Sequence, residues 1–131
     1  MGLLTRDAIL AASDIKSEEV EVPEWGGTVR VAMMSGAARD AWEQSLVIRE
    51  GTRTRPNLAN TRARLAAATV IGEDGQPLFS ADDIAALGAK STAALDRICK
   101  AAQRLNGIGA EAMEEAKGNS EPGPSAAGTS N

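Results

Sequence analysis

The chain has 131 residues, 43% hydrophobic but only 2% aromatic, and a formal charge of −4. That length supports one domain, and the three aromatics, Trp25, Trp42 and Phe79, leave its core to Ala, Leu, Ile, Val and Met. The acidic balance argues against a dedicated nucleic-acid or anionic-membrane binder. The absence of histidine excludes imidazole acid–base chemistry, Ser-His-Asp triads and His-dependent zinc sites. Cys99, the single cysteine, has no intramolecular partner, which suits a reducing cytosol. No apolar run approaches the roughly 20 residues of a membrane span.

In chain order, Leu4, Ala8 and Ala12 with Ile9 beside them predict a short helix over residues 3–12, with Thr5 as its N-cap. Such a helix is marginal alone, and covering one face of the next element would stabilise it. Val20 and Val22 alternate with Glu19 and Glu21, and Val29, Val31 and Met33 with Arg30 and Ala32, the period of two half-buried strands. Pro23, Gly26 and Gly27 supply the reversal between them and put Trp25 at its tip. An indole there either packs back on the first helix or touches a partner.

Ser35 is placed to cap a helix of alanines that carries Trp42 and Leu46 at i and i+4. Residues 49–57, with Gly51 and Pro56, read as a polar surface loop, and Arg49, Arg53, Arg55, Arg62 and Arg64 are the basic cluster. Asn57 or Asn60 opens a third helix through Thr69 with Leu58, Leu65 and Ala68 inward. Asp74-Gly75 marks a turn, after which Leu78 and Phe79 return to the core beside Val70 and Ile71. Ser80 with Asp83 forms a carboxylate capping box, which explains Asp82-Asp83 better than a metal site does. From there Ile84, Leu87, Ser91, Leu95, Ile98, Ala102 and Leu105 predict one long helix of about six turns, stopped by Asn106-Gly107. Cys99, one place from Ile98, reads as a small buried hydrophobe. Residues 110–117 extend the helix weakly at most, and residues 118–131, without a large apolar side chain, are expected to be disordered.

The expected fold is therefore α+β and mainly helical, with about four helices, an N-terminal β-hairpin and a disordered C-terminal tail. The domain covers residues 1–109 and the acidic tail residues 110–131. The glycine pairs lack the context of a phosphate loop, so no catalytic, cofactor-binding or metal site is expected.

Several stretches together carry a resemblance. They are Leu3-Leu4-Thr5-x-x-Ala8-Ile9-Leu10, the hairpin from Val20 to Val31 with Pro23-Glu24-Trp25-Gly26-Gly27 at its tip, and Ser35-Gly36. Collinear with them are Asp74-Gly75-x-Pro77-Leu78-Phe79-Ser80-x-x-Asp83-Ile84-x-x-Leu87-Gly88-x-Lys90-Ser91 and Ala94-Leu95-Asp96-Arg97. Over residues 3–105 the chain resembles the tail assembly chaperones of long-tailed bacteriophages. The resemblance implies a non-enzymatic chaperone of a phage or prophage, working in the bacterial host cytoplasm and absent from the mature virion. It would bind the tape measure protein, and through a longer, frameshifted product the tail tube protein; self-association is compatible with it. Candidate partner contacts are Trp25, Trp42, Leu46, Arg53 and Arg55. The alternative is a small nucleic-acid-associated regulator using the basic segment, residues 49–64.

Overall fold

A computed structural model describes residues 2–109. The tail expected over residues 110–131 lies outside the described residues, so the boundary after Gly109 remains an expectation of sequence.

The hairpin forms where the alternation places it. Strand β1 (Ser17–Val22) runs antiparallel to β2 (Gly27–Ala32), with Val20 opposite Val29, Glu18 opposite Val31 and Val22 opposite Gly27. The reversal is a single 3-10 turn, Pro23–Trp25, closed by Gly26 at φ 74°, a left-handed conformation that a residue without Cβ adopts freely. A third, two-residue strand, β5 (Val70–Ile71), pairs with the far edge of β2, so the sheet order is β1-β2-β5. One face of this sheet presents Val20, Val22, Val29 and Val31 to the core. The other carries the Arg30–Glu19 ion pair at 3.1 Å.

Helix α5 (Thr92–Asn106) lies across the apolar face, with Ala94, Leu95, Ile98, Cys99, Ala101 and Ala102 buried. It begins at Ser91, whose hydroxyl accepts from the Ala94 amide, and ends at Gly107 with φ 64°. Polar contacts tie it to the hairpin and to the segment that follows. Arg104 pairs with Glu18 and Arg97 with Glu24. The Asn106 side-chain oxygen accepts from the Met34 amide at 2.6 Å, while its backbone oxygen accepts from Arg39 at 3.0 Å. Helices α2 (Gly36–Ser45) and α3 (Thr61–Thr69) complete the core, α2 capped by Ser35 as expected and α3 packed against α5. No helix among the described residues is long and apolar enough to cross a membrane.

Four sequence expectations need correction. The long helix is broken: Ser80 and Asp83 cap a 3-10 turn (Ala81–Asp83) that leads into the short α4 (Ile84–Gly88), and Ser91 starts α5 afresh. The hydroxyl of Ser91 offers the backbone a cap, which competes with continued helix, so the residue assigned to the buried stripe acts instead as its start signal. Second, α1 (Arg6–Ala11), capped by Thr5 as expected, buries no residue and covers no face of the hairpin. Third, the polar loop is a second hairpin, β3 (Val47–Glu50) with β4 (Arg53–Pro56), reversed at Gly51 with φ 67°. Fourth, Leu58 and Leu78 are exposed, although Leu65 and Phe79 do face inward. The return after Asp74-Gly75 is one bridge, Ile71 to Pro77, with the Leu78 amide donating to the Val70 oxygen.

The break positions α4 against the start of α3, closely enough that a methyl group at Gly88 would overlap Asn60 Oδ1. Asn60 is itself held at φ 54°. Gly88→Ala is therefore expected to destabilise by about 1 to 3 kcal/mol, as overpacking does. Adding Asn60→Gly removes the obstruction and suits the positive φ, so the double variant should regain most of that loss in urea denaturation.

Candidate functional site

Trp25, Phe79, Asp83, Ala86, Leu87 and Lys90 line an open cleft of about 460 Å³. Each wall has a local cause. Trp25 is at the hairpin tip because Pro23 starts the 3-10 turn and Gly26 ends it. Phe79 arrives through the bridge after β5, and Ala86 and Leu87 belong to α4, whose entry is set by the Ser80–Asp83 capping box. Leu87 is buried, while Trp25 and Phe79 are half-buried against the core, each with surface left over. The rim carries one carboxylate, Asp83, and one ammonium, Lys90. The rest of the lining is Trp25, Phe79, Ala86 and Leu87, so the cleft is a seat for apolar side chains with a dipolar edge.

The tip is pinned from beside the cleft. Arg97 Nε of α5 donates to both carboxylate oxygens of Glu24, at 2.9 and 3.2 Å. This hydrogen bond holds the Glu24 carboxyl below its ordinary value of 4.5 and raises the Arg97 guanidinium correspondingly. A depressed carboxylate contributes stability that is full above the unfolded value and is lost as pH falls through the folded one. Trp25 emission should therefore shift toward that of exposed indole as pH drops below about 4.5, and Glu24→Gln should remove the Glu24 share of that transition. An identical acid transition in both proteins would assign it to other carboxylates.

The remaining candidates are dispersed. Trp42 is 6% exposed inside the core, with the Arg39 guanidinium 5.6 Å from its ring centroid and an indole N–H that finds no acceptor. It supports α2 from within. Leu46 caps α2 and is half-buried beside it. Arg53 and Arg55 are exposed on the β3–β4 hairpin, where Arg55 pairs with Glu50 at 3.2 Å. Arg62 and Arg64 are not with them: Arg62 pairs with Asp96 at 2.7 Å, and Arg64 donates to the Ala59 oxygen. The basic segment is thus split between a protruding hairpin and a helix. Cys99 is buried and donates to the Arg62 oxygen at 3.4 Å; burial, then the nearby Asp96 charge, push its thiol up to about 12. It stays protonated and unreactive at neutral pH.

Trp25 was legible as an oddity in sequence, but Phe79, Leu87 and Lys90 were not legible as its neighbours. A cleft assembled from a hairpin tip and a distant short helix leaves no local pattern; only the Leu78-Phe79 return hinted at it.

A family model of the phage tail assembly chaperone matches residues 4–119. The chain belongs to the phage tail assembly chaperone family. Its function is accordingly the non-enzymatic one of assisting tail assembly, and its partners are tail proteins. Among solved structures it is similar to the bacteriophage HK97 tail assembly chaperone, with 22% identity and a TM-score of 0.49, over 76% of this chain and 90% of that one. No curated protein matches the chain. Membership takes precedence over the nucleic-acid alternative.

Proposed function

We propose that this tail assembly chaperone binds the tape measure protein in the bacterial host cytoplasm, and that the Trp25–Phe79 cleft receives apolar side chains from a helical segment of that client. The observation that carries this reading is the pair of half-buried aromatics over Leu87, exposed at the mouth of an apolar cleft. Aromatic anchors of this kind dominate protein interfaces, and an amphipathic helix fits such a seat through residues spaced three and four apart. Asp83 and Lys90 would orient it by charge. Arg53 and Arg55 on the exposed hairpin are a second place to touch a tail protein, while Trp42 and Leu46 act by holding α2 in place. A longer product sharing this domain would bring the tail tube protein to the same client.

Co-expression with the tape measure protein of the same phage tests the reading. The chaperone should raise the client's soluble fraction and co-purify with it, and should be missing from finished tails. A client that is equally insoluble with and without the chaperone, and is never retained by it, would overturn the proposal.

A further inference from the structure

Four of the six residues that line the Trp25–Phe79 cleft come from one continuous stretch: Asp83, Ala86, Leu87 and Lys90. They stand at i, i+3, i+4 and i+7, and Asp83 and Ala89, which flank α4, keep right-handed helical backbone. The four side chains therefore share one helical face, and that face is a wall of the cleft. Along it run a carboxylate, two apolar groups and an ammonium. Trp25 and Phe79, from distant parts of the chain, complete the apolar lining.

Both charges are available to a partner. Among the described residues neither Asp83 nor Lys90 is in an ion pair. Seven residues of helical rise put them about 10 Å apart, too far to pair with each other. The Ser80 amide donates to Asp83 Oδ2 at 2.9 Å, which fixes that carboxylate in position. Glu24 and Arg97, beside the cleft, cancel as a pair. An amphipathic helix has the same repeat as this wall: its own side chains at i, i+3, i+4 and i+7 share a face over about 10 Å. Laid along the wall, it meets the carboxylate with one end of that stripe and the ammonium with the other.

We infer that the cleft selects client helices whose apolar pair is flanked by opposite charges seven residues apart, a cationic side chain against Asp83 and a carboxylate against Lys90. The inference rests on the reading of the cleft as the client site, and adds the chemistry of the segment it takes. The order of the two charges sets direction: a helix with its acid first runs antiparallel to α4, and one with its base first runs parallel. Charges at an exposed rim add little affinity, but they discriminate against partners that oppose them with like charge. Lys90 is thus a specificity-determining residue of the cleft.

Stapled helical peptides with leucines at i+3 and i+4 test this against the full chain. One carries glutamate at i and lysine at i+7, a second lysine at both places, and a third glutamine at both. The wild type should bind the mixed-charge peptide about fivefold more tightly than the dilysine one. Lys90→Glu should reverse that order. The new carboxylate adjoins the Ser91 cap at the positive end of α5, where it is favoured, so the thermal midpoint should hold. Asp83 stays in place because it completes the Ser80 capping box. At about 1 M salt, where the screening length is about 3 Å, the preference should shrink while the glutamine peptide stays bound. A nitroxide at the N-terminus of the mixed-charge peptide should broaden the amide signals of Ala89 and Lys90 more than those of Ala81 and Asp82. Equal affinity for the two charged peptides, an order unchanged by Lys90→Glu, or broadening at Ala81 and Asp82 instead would each overturn the charge register. The cleft would still stand as the client site if Trp25→Ala weakens binding of the glutamine peptide. If no peptide binds, or if Trp25→Ala leaves binding of all three unchanged, the client reading falls and the register with it.

Discussion

Replacing Leu95 with aspartate is expected to abolish the folded state. Leu95 is 4% exposed on the face of α5 that covers the sheet and α3. Losing a buried leucine removes about 1.5 to 3 kcal/mol, and a carboxylate left there without a partner costs several kcal/mol more. A domain of this size has about 5 to 15 kcal/mol in all, and an aliphatic core with three aromatics belongs toward the low end. Circular dichroism should show lost helix and no cooperative thermal transition. Lys100→Asp is the control, exposed on the same helix, and should stay within about 0.5 kcal/mol of wild type. A cooperative transition in Leu95→Asp would mean that α5 is not the centre of the fold.

Trp25→Ala should spare the fold and weaken client binding. The tip keeps its ladder from Val22 to Gly27 and its Glu24–Arg97 pair without the indole, which is only half-buried. At an interface, truncating an aromatic anchor commonly costs 2 kcal/mol or more, about thirtyfold in affinity. Titration of the purified tape measure protein against both chaperones measures the difference. Trp25→Phe, which keeps a ring in the cleft, should recover much of it. Equal affinity for wild type and a well-folded Trp25→Ala would remove Trp25 from the contact and leave the family's function untouched.

What the sequence disclosed follows how local the determining physics is. The first hairpin was legible because Glu19 and Glu21 alternate with valines, because Pro23 fixes its φ, and because Gly26 is free to take the positive φ that the reversal requires. The caps at Thr5, Ser35, Ser80 and Gly107 were legible for the same reason: each satisfies backbone groups within four residues. The break after α4 was hidden because Ile84, Leu87, Leu95 and Ile98 keep helical spacing straight across it. Ser91 and Gly88 held the contrary signal, in a hydroxyl able to cap and a residue with no Cβ to clash with Asn60. The second hairpin was missed through polarity. Its arginines suggested loop, whereas the β-branched Val47, Ile48, Thr52 and Thr54 around Gly51 were the better guide. The cleft lay beyond reach of any window, since its two aromatics meet only after the sheet and α4 are both in place.

The position of α5 at the end of the described fold has a consequence on the ribosome. Synthesis reaches Ile98 76 residues after Val22, which at about 5 to 20 residues per second is an interval of about 4 to 15 s. Throughout it the valines of β1 and β2 have no helix to cover them. Neighbouring nascent chains on one polysome would then offer each other bare strands of identical sequence. Glu18, Glu19 and Glu21 put like charges on the outermost of those strands and discourage such pairing. The acids of β1 thus guard the chaperone during its own birth, before it can shield anything else.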